Sequence, residues 1–227
     1  MEEAAEAGFP VGQLTWMPNP VDIAEFRPAE PGEIATLRQR HEIPAHAPVA
    51  VYVGRLSPEK GLASLLRGFA QAARAVPEAI LLLIGDGAMR SELETLAAEV
   101  GLGPEALRFI GRVETSEVPP RLRASDVFAL TSAYEGFPCA LAEAMSIGLP
   151  SVVSRIPGNT QLIDTEVHGL TVRLDDPSAI ADALIRLFKD AEARRRMGHA
   201  ARQRIVEKYA TEHVLERYEK LFCEILR

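Results

Sequence analysis

The chain has 227 residues, a formal net charge of −7, 47% hydrophobic and 25% charged residues, an ordinary globular composition that builds one well-buried domain or two small ones. The acidic balance argues against a nucleic-acid surface as the main function, while a local basic patch would still suit a small anion. Cys139 and Cys223 stand far apart without metal-ligand spacing, the start MEEAAEAGF lacks the basic and apolar parts of a signal peptide, and no run of about 18 apolar residues indicates membrane contact; a reduced, cytoplasmic compartment is expected.

In chain order, residues 1–31 hold no complete βα unit, and four prolines fall between Pro18 and Pro31. This stretch is expected to be an interdomain arm with the remnant of something upstream. VAVYV (49–53), ILLLIG (80–85), LRFIG (107–111), DVFALT (126–131), SVVS (151–154) and GLTV (169–172) are six short apolar runs. Between them lie a helix from Lys60 to Val76 with Leu62, Leu65, Leu66 and Phe69 at helical spacing, another from Met89 to Val100, and a short one near Glu117–Arg123. Strands apolar on both faces and alternating with helices predict a Rossmann-like, doubly wound parallel six-stranded sheet. After Asp176, a fitting N-cap with Pro177 at the first helical position, the chain reads as helix over 178–189, about 192–208 and 211–226. The domain is expected over 32–208, with 209–227 as a crossover helix. Its stripe of Val214, Leu215, Tyr218, Leu221, Phe222 and Ile225 needs an apolar surface to lie against.

In open α/β sheets, ligands sit beyond the carboxyl ends of the strands. After 49–53 comes GRLSPEKG (54–61). Gly54 permits a tight exit, Arg55 offers a fork of donors, and Ser57-Pro58 reads as a helix start with Lys60 in its first turn. A cation there opposes the macrodipole, a conflict that an anion between Arg55, Lys60 and the helix start would resolve. Taken alone, the segment reads equally well as a solvated Arg and Lys at a surface turn. Gly85-Asp86-Gly87 is a good turn in any α/β protein and a weak nucleotide signal.

After 127–131, Glu135-Gly136-Phe137 occupies a loop and Pro138 suits the first helical position. The amides of Cys139, Ala140 and Leu141 are then free first-turn donors, a second anion seat. Glu143 lies one turn in, and Glu135 stands on the loop side. Carboxylates do not bind phosphate but accept from hydroxyls, so the pattern suits ribose, diphosphate and sugar in line. Each acid alone also reads as a surface or locally paired residue. No DxD sequence or His cluster suited to a metal is present.

The segment EGFPCALAEAM followed by GLP resembles the E-x7-E signature of retaining glycosyltransferases of the GT-B architecture, family 4 (glycosyl transferases group 1). GRLSPEKG resembles that family's diphosphate-binding segment, with LLLIGDGAMRSEL, LRFIGRV and ASDVFALTS in their usual order. MPNPVDIAEFRP resembles the segment between its two domains, with Asn19-Pro20 where Asn-Gly is usual. The resemblance covers about Asn19 to Arg227. It implies that Arg55 and Lys60 hold the diphosphate and Glu143 the ribose, while Glu135 positions the transferred sugar in a pocket lined by Gly136, Phe137 and Pro138. It further implies that backbone near Arg112 and Val113 faces the base, that no metal or other cofactor is obligatory, and that the donor is a nucleotide-diphosphate sugar. The family's first domain, which binds the acceptor, has no counterpart here beyond a possible last helix and strand over Glu2–Met17. The expectation is a donor-binding half of a retaining hexosyltransferase, inactive without its N-terminal partner domain. A non-catalytic nucleotide-sugar-binding half, a paired-carboxylate hydrolase and a nucleotide-sugar epimerase are the competing readings.

Overall fold

The computed structural model describes residues 8–10, 12 and 14–226. Of the helix and strand expected over Glu2–Met17, residues 2–7, 11 and 13 lie outside the described residues, and residues 14–17 form no helix or strand. The six apolar runs form strands β1 (Val49–Val53), β2 (Ile80–Ile84), β3 (Leu107–Gly111), β4 (Val127–Leu130), β5 (Ser151–Ser154) and β6 (Gly169–Val172). All pair in parallel, in the order β3-β2-β1-β4-β5-β6. Helices on both faces account for strands such as β2, buried at every position.

Helix α1 (Glu33–Arg40) precedes β1, and α2 (Leu62–Ala75), α3 (Arg90–Glu99) and α4 (Val118–Arg123) follow β1, β2 and β3. Helices α5 (Cys139–Ile147) and α6 (Pro157–Thr160) follow β4 and β5, and α7 (Pro177–Lys189), α8 (Ala191–Lys208) and α9 (Thr211–Ile225) follow β6. Leu62, Leu65, Leu66 and Phe69 of α2 are all fully buried, as their spacing predicts. Helix α2 packs on α7, and α5 on α8. The helices leaving the adjacent strands β1 and β4 therefore cover different faces, which opens a crevice at the strand ends. Asp176 caps α7 by accepting from the Ala179 amide at 3.0 Å.

The expected helix start at Ser57 is corrected. Pro58–Lys60 is a single 3-10 turn, ended by Gly61 at φ 62°, and α2 begins at Leu62. Gly61 lies against the Thr131 carbonyl, where a Cβ would collide. The close approach of β4 to this loop requires the left-handed glycine and breaks the helix there. Lys60 is thus not in the first turn of α2.

The proline-rich stretch before α1 adheres to the sheet domain. Val21 and Phe26 join the core, and Val21 exchanges backbone bonds with Tyr209 and Thr211 at 2.9 and 3.1 Å. The Arg202 guanidinium donates to the carbonyls of Ile23, Phe26 and Ser146. It clamps the stretch against α5 and α8. In α9, Val214 is buried, whereas Leu215, Phe222 and Ile225 are exposed. Among the described residues, no helix is long and apolar enough to cross a membrane.

Candidate functional site

The loops after β1 and β4 are stitched together by backbone. The Ala133 amide donates to the Glu59 carbonyl at 2.8 Å, and Thr131 Oγ1 donates to the Gly61 carbonyl at 3.0 Å. Tyr52 braces the first loop by donating its hydroxyl to the Arg55 carbonyl at 2.7 Å; burial pushes its phenol well above the ordinary range. These ties bring residues 75 positions apart into contact. Lys60 Nζ lies 2.8 Å from Glu135 Oε1, with the two side chains only 21% and 11% exposed. The same oxygen accepts from Ser132 Oγ at 2.7 Å.

Two cavities meet at Glu135. The first, about 340 Å³, is lined by Gly54, Arg55, Lys60, Glu135, Pro138, Cys139 and Ala140, together with Tyr52, Val53, Glu59 and Leu130. The second, about 900 Å³, includes Trp16, Glu135, Gly136, Phe137, Gly158 and Tyr209. Pro138 is the N-cap of α5 rather than its first helical residue, and the first intrahelical bond runs from the Ala142 amide to the Pro138 carbonyl. The amides of Cys139, Ala140 and Leu141 therefore lack intrahelical acceptors. Cys139 Sγ accepts from Asn19 Nδ2 at 3.2 Å. Phe137 sits between Trp16 and Tyr209, its ring centroid 6.5 and 5.7 Å from theirs.

Glu143 is half-buried on α5, one turn past Cys139. It lines neither cavity. Burial, then the nearby Glu25 carboxylate, pushes its carboxyl up to about 7.

Other expected residues line neither cavity. Gly85, Asp86 and Gly87 line neither cavity and instead buttress the Arg55 loop. The Leu56 amide donates to the Asp86 carbonyl, and the Leu56 carbonyl accepts from Met89, both at 3.0 Å. Arg112 and Val113 follow β3 and also lie outside both cavities. Leu141 is fully buried and lines neither cavity. Among the described residues, no cluster of three or more His, Cys, Asp or Glu could hold a metal.

The sequence reading missed a set of residues behind Glu135. Gly158 lies against the Glu135 carbonyl so closely that a Cβ would clash. Buried Asn159 donates to Ser154 O and Oγ at 2.9 and 3.1 Å, and Ser154 Oγ donates in turn to the Ser132 carbonyl. PGN following a strand was the available signal. It reads as an ordinary turn, and a four-residue helix has no periodicity to detect.

Comparisons with known proteins agree with this architecture. A curated relative is the GDP-mannose-dependent monoacylated alpha-(1-6)-phosphatidylinositol monomannoside mannosyltransferase of Corynebacterium glutamicum. It is 30% identical over 208 residues, covering 88% of this chain and 54% of the relative. The structure of Anabaena HepE with UDP and glucose superposes with a TM-score of 0.89 at 23% identity, covering 97% of this chain and 59% of that one. At that identity the likeness shows the fold. A C-terminal domain of a glycosyl transferase group 1 family protein (LpcC) from Francisella tularensis gives a TM-score of 0.74 at 22% identity, covering 84% of this chain and 99% of that one. The chain spans about half the length of the curated relatives it matches. Residues 33–204, which carry every strand and the Lys60–Glu135 contact, match the family of glycosyl transferases group 1, and the chain belongs to that family.

Proposed function

We propose that this chain is the donor-binding half of a retaining, family 4 glycosyltransferase of GT-B architecture. It takes a nucleotide-diphosphate sugar and, with an N-terminal domain supplied, transfers the sugar to an acceptor hydroxyl. One observation carries the reading: Arg55, Lys60, Glu135 and the first residues of α5, Cys139 and Ala140, converge at the carboxyl ends of β1 and β4, around one cavity. A diphosphate fits between the two cations and the first-turn amides of α5. There the cations and amides would stabilise the charge that develops on the leaving diphosphate. The sugar would lie on the side of the larger cavity, beside Glu135, Gly136 and Phe137. Glu143 would take ribose hydroxyls, and backbone near Arg112 and Val113 the base. No metal is required, because cations and backbone donors neutralise the phosphates. The family membership and the half-length match to the curated relatives support both the enzyme class and the need for a second domain. The proposed setting is the cytoplasm.

Calorimetry with UDP, GDP and their glucose and mannose conjugates, in excess chelator, tests the reading. At least one pair is expected to bind. With an acceptor added, the chain alone is expected to transfer nothing, because the reacting hydroxyl must be held within about 3–3.5 Å with water excluded. Binding only with Mg²⁺ or Mn²⁺ would refute the metal-free neutralisation. Robust transfer by the purified chain would refute the requirement for a second domain.

A further inference from the structure

Resting on that reading, we infer that Glu135 competes with the donor's diphosphate for Lys60, so that the site discriminates against the bare nucleoside diphosphate in favour of the sugar-bearing donor. Lys60 is committed to Glu135: its ammonium is 2.8 Å from Glu135 Oε1 and mostly shielded from water. The carboxylate is itself fixed, since Ser132 Oγ holds the same oxygen and Gly158 abuts its backbone. Glu135 is also the residue shared by the two cavities. A diphosphate drawn towards Arg55 and Lys60 must share or displace this ion pair, and it arrives beside a negative charge.

The displaced carboxylate needs new donors, because a partly buried charge without partners is costly. Sugar hydroxyls entering from the larger cavity supply them. An intact donor therefore repays the broken ion pair, and a bare nucleoside diphosphate does not. This also favours release of the product nucleotide once the sugar has gone. Lys60 has three donors, so the alternative is simple sharing, in which Glu135 keeps its bond and opposes nothing through Lys60.

The test is a double-mutant cycle at Glu135 and Lys60. Calorimetry with UDP, GDP and their glucose and mannose conjugates is run on wild type, Glu135→Gln, Glu135→Ala, Lys60→Met and Lys60→Met/Glu135→Gln. Each variant is first checked for native circular dichroism and cooperative melting. In Glu135→Gln the bare nucleoside diphosphate is expected to bind about three- to tenfold tighter, the worth of a partly buried ion pair, while the sugar-bearing donor binds more weakly. Glu135→Ala should shift both ligands in the same directions, which covers a misfolded glutamine variant. In the Lys60→Met background, removing the carboxylate should tighten the diphosphate by clearly less than it does with Lys60 present, because only direct repulsion is left to relieve. Unchanged or weaker diphosphate binding in both Glu135 variants overturns the inference and leaves the functional reading standing. Tightening that is undiminished without Lys60 also overturns it, since repulsion alone would then be at work. Wild type that binds none of the four ligands overturns the functional reading and the inference together.

Discussion

Glu135 and Glu143 are the same side chain eight residues apart, yet the loop before α5 and the body of α5 give them opposite surroundings. Glu135 is 11% exposed and is met by an ammonium and a hydroxyl on one oxygen. Glu143 is half-buried and, among the described residues, makes no hydrogen bond or ion pair; its near charge is another carboxylate, Glu25. A buried acid stays a fixed acceptor where the fold supplies a cation and a donor. Where it supplies neither, burial shifts the proton equilibrium instead. Near neutrality Glu143 is therefore divided between a protonated form that can donate and an ionised form that can accept, which suits vicinal hydroxyls of a ribose.

Removing the cation tests the contrast most severely. Lys60→Met would leave Glu135 buried with Ser132 alone, making it a second Glu143. Loss of one partner from a well-shielded pair is expected to cost about 3 kcal/mol of stability at pH 8, measured by urea unfolding. The loss should shrink as pH falls, because protonation relieves the stranded charge. Diphosphate affinity should fall by about 1.5–3 kcal/mol, the worth of a charge-assisted contact. If stability is lost equally at every pH, Lys60 contributes packing rather than charge.

Glu143→Gln probes the other side. Folding raises this carboxyl from 4.5 to about 7. Between those values the folded protein holds a proton that the unfolded chain has released, so this group's contribution declines as pH rises through the window. Below about 4.5 both states are protonated and the contribution is intact. Above about 7 the full penalty is present. Glutamine avoids that penalty, so the variant should match wild type at pH 4.5 and exceed it by about 2 kcal/mol at pH 8. On the proposed reading, donor affinity should move the opposite way, because Glu143 would be the ribose acceptor. Equal stability differences at both pH values would mean that Glu143 is not the group that titrates.

The fold was largely legible because its strands are buried on both faces. Runs such as ILLLI have no polar position to confuse them, and Asp176-Pro177 marks its helix by local chemistry alone. The missed elements lack such signals. In α1 only Leu37 and Arg38 are buried, and Arg38 earns its place through distant partners, Asp126 and the carbonyls of Ala45, Ala47 and Ala124. The start of α2 was misplaced because Ser57-Pro58 has a capping pattern, while the decisive neighbour of Gly61 is Thr131, just past the end of β4. Both members of the central ion pair were picked out, each for a ligand. That they pair with each other depends on β1 and β4 being neighbours in the sheet, a fact of topology rather than of either segment.

The mildest change should be Ser132→Ala, and it asks whether Glu135 owes its placement to more than Lys60. Ser132 is fully buried, between the carboxylate that its hydroxyl reaches and the Ser154–Asn159 pair behind it. Alanine removes the hydroxyl, strands no charge and leaves the ion pair in place. A hydrogen bond to an ionised group is worth about 1.5–3 kcal/mol, but the remaining ammonium should hold the cost to about 1. The effect should appear in the intact sugar donor, about fivefold weaker, because a carboxylate free to swing is less often aimed at the sugar. Bare nucleoside diphosphate should change less than about twofold, a difference within reach of calorimetry. A merely structural serine would lower the melting temperature and weaken both ligands alike, and that pattern would leave Lys60 as the sole support of Glu135.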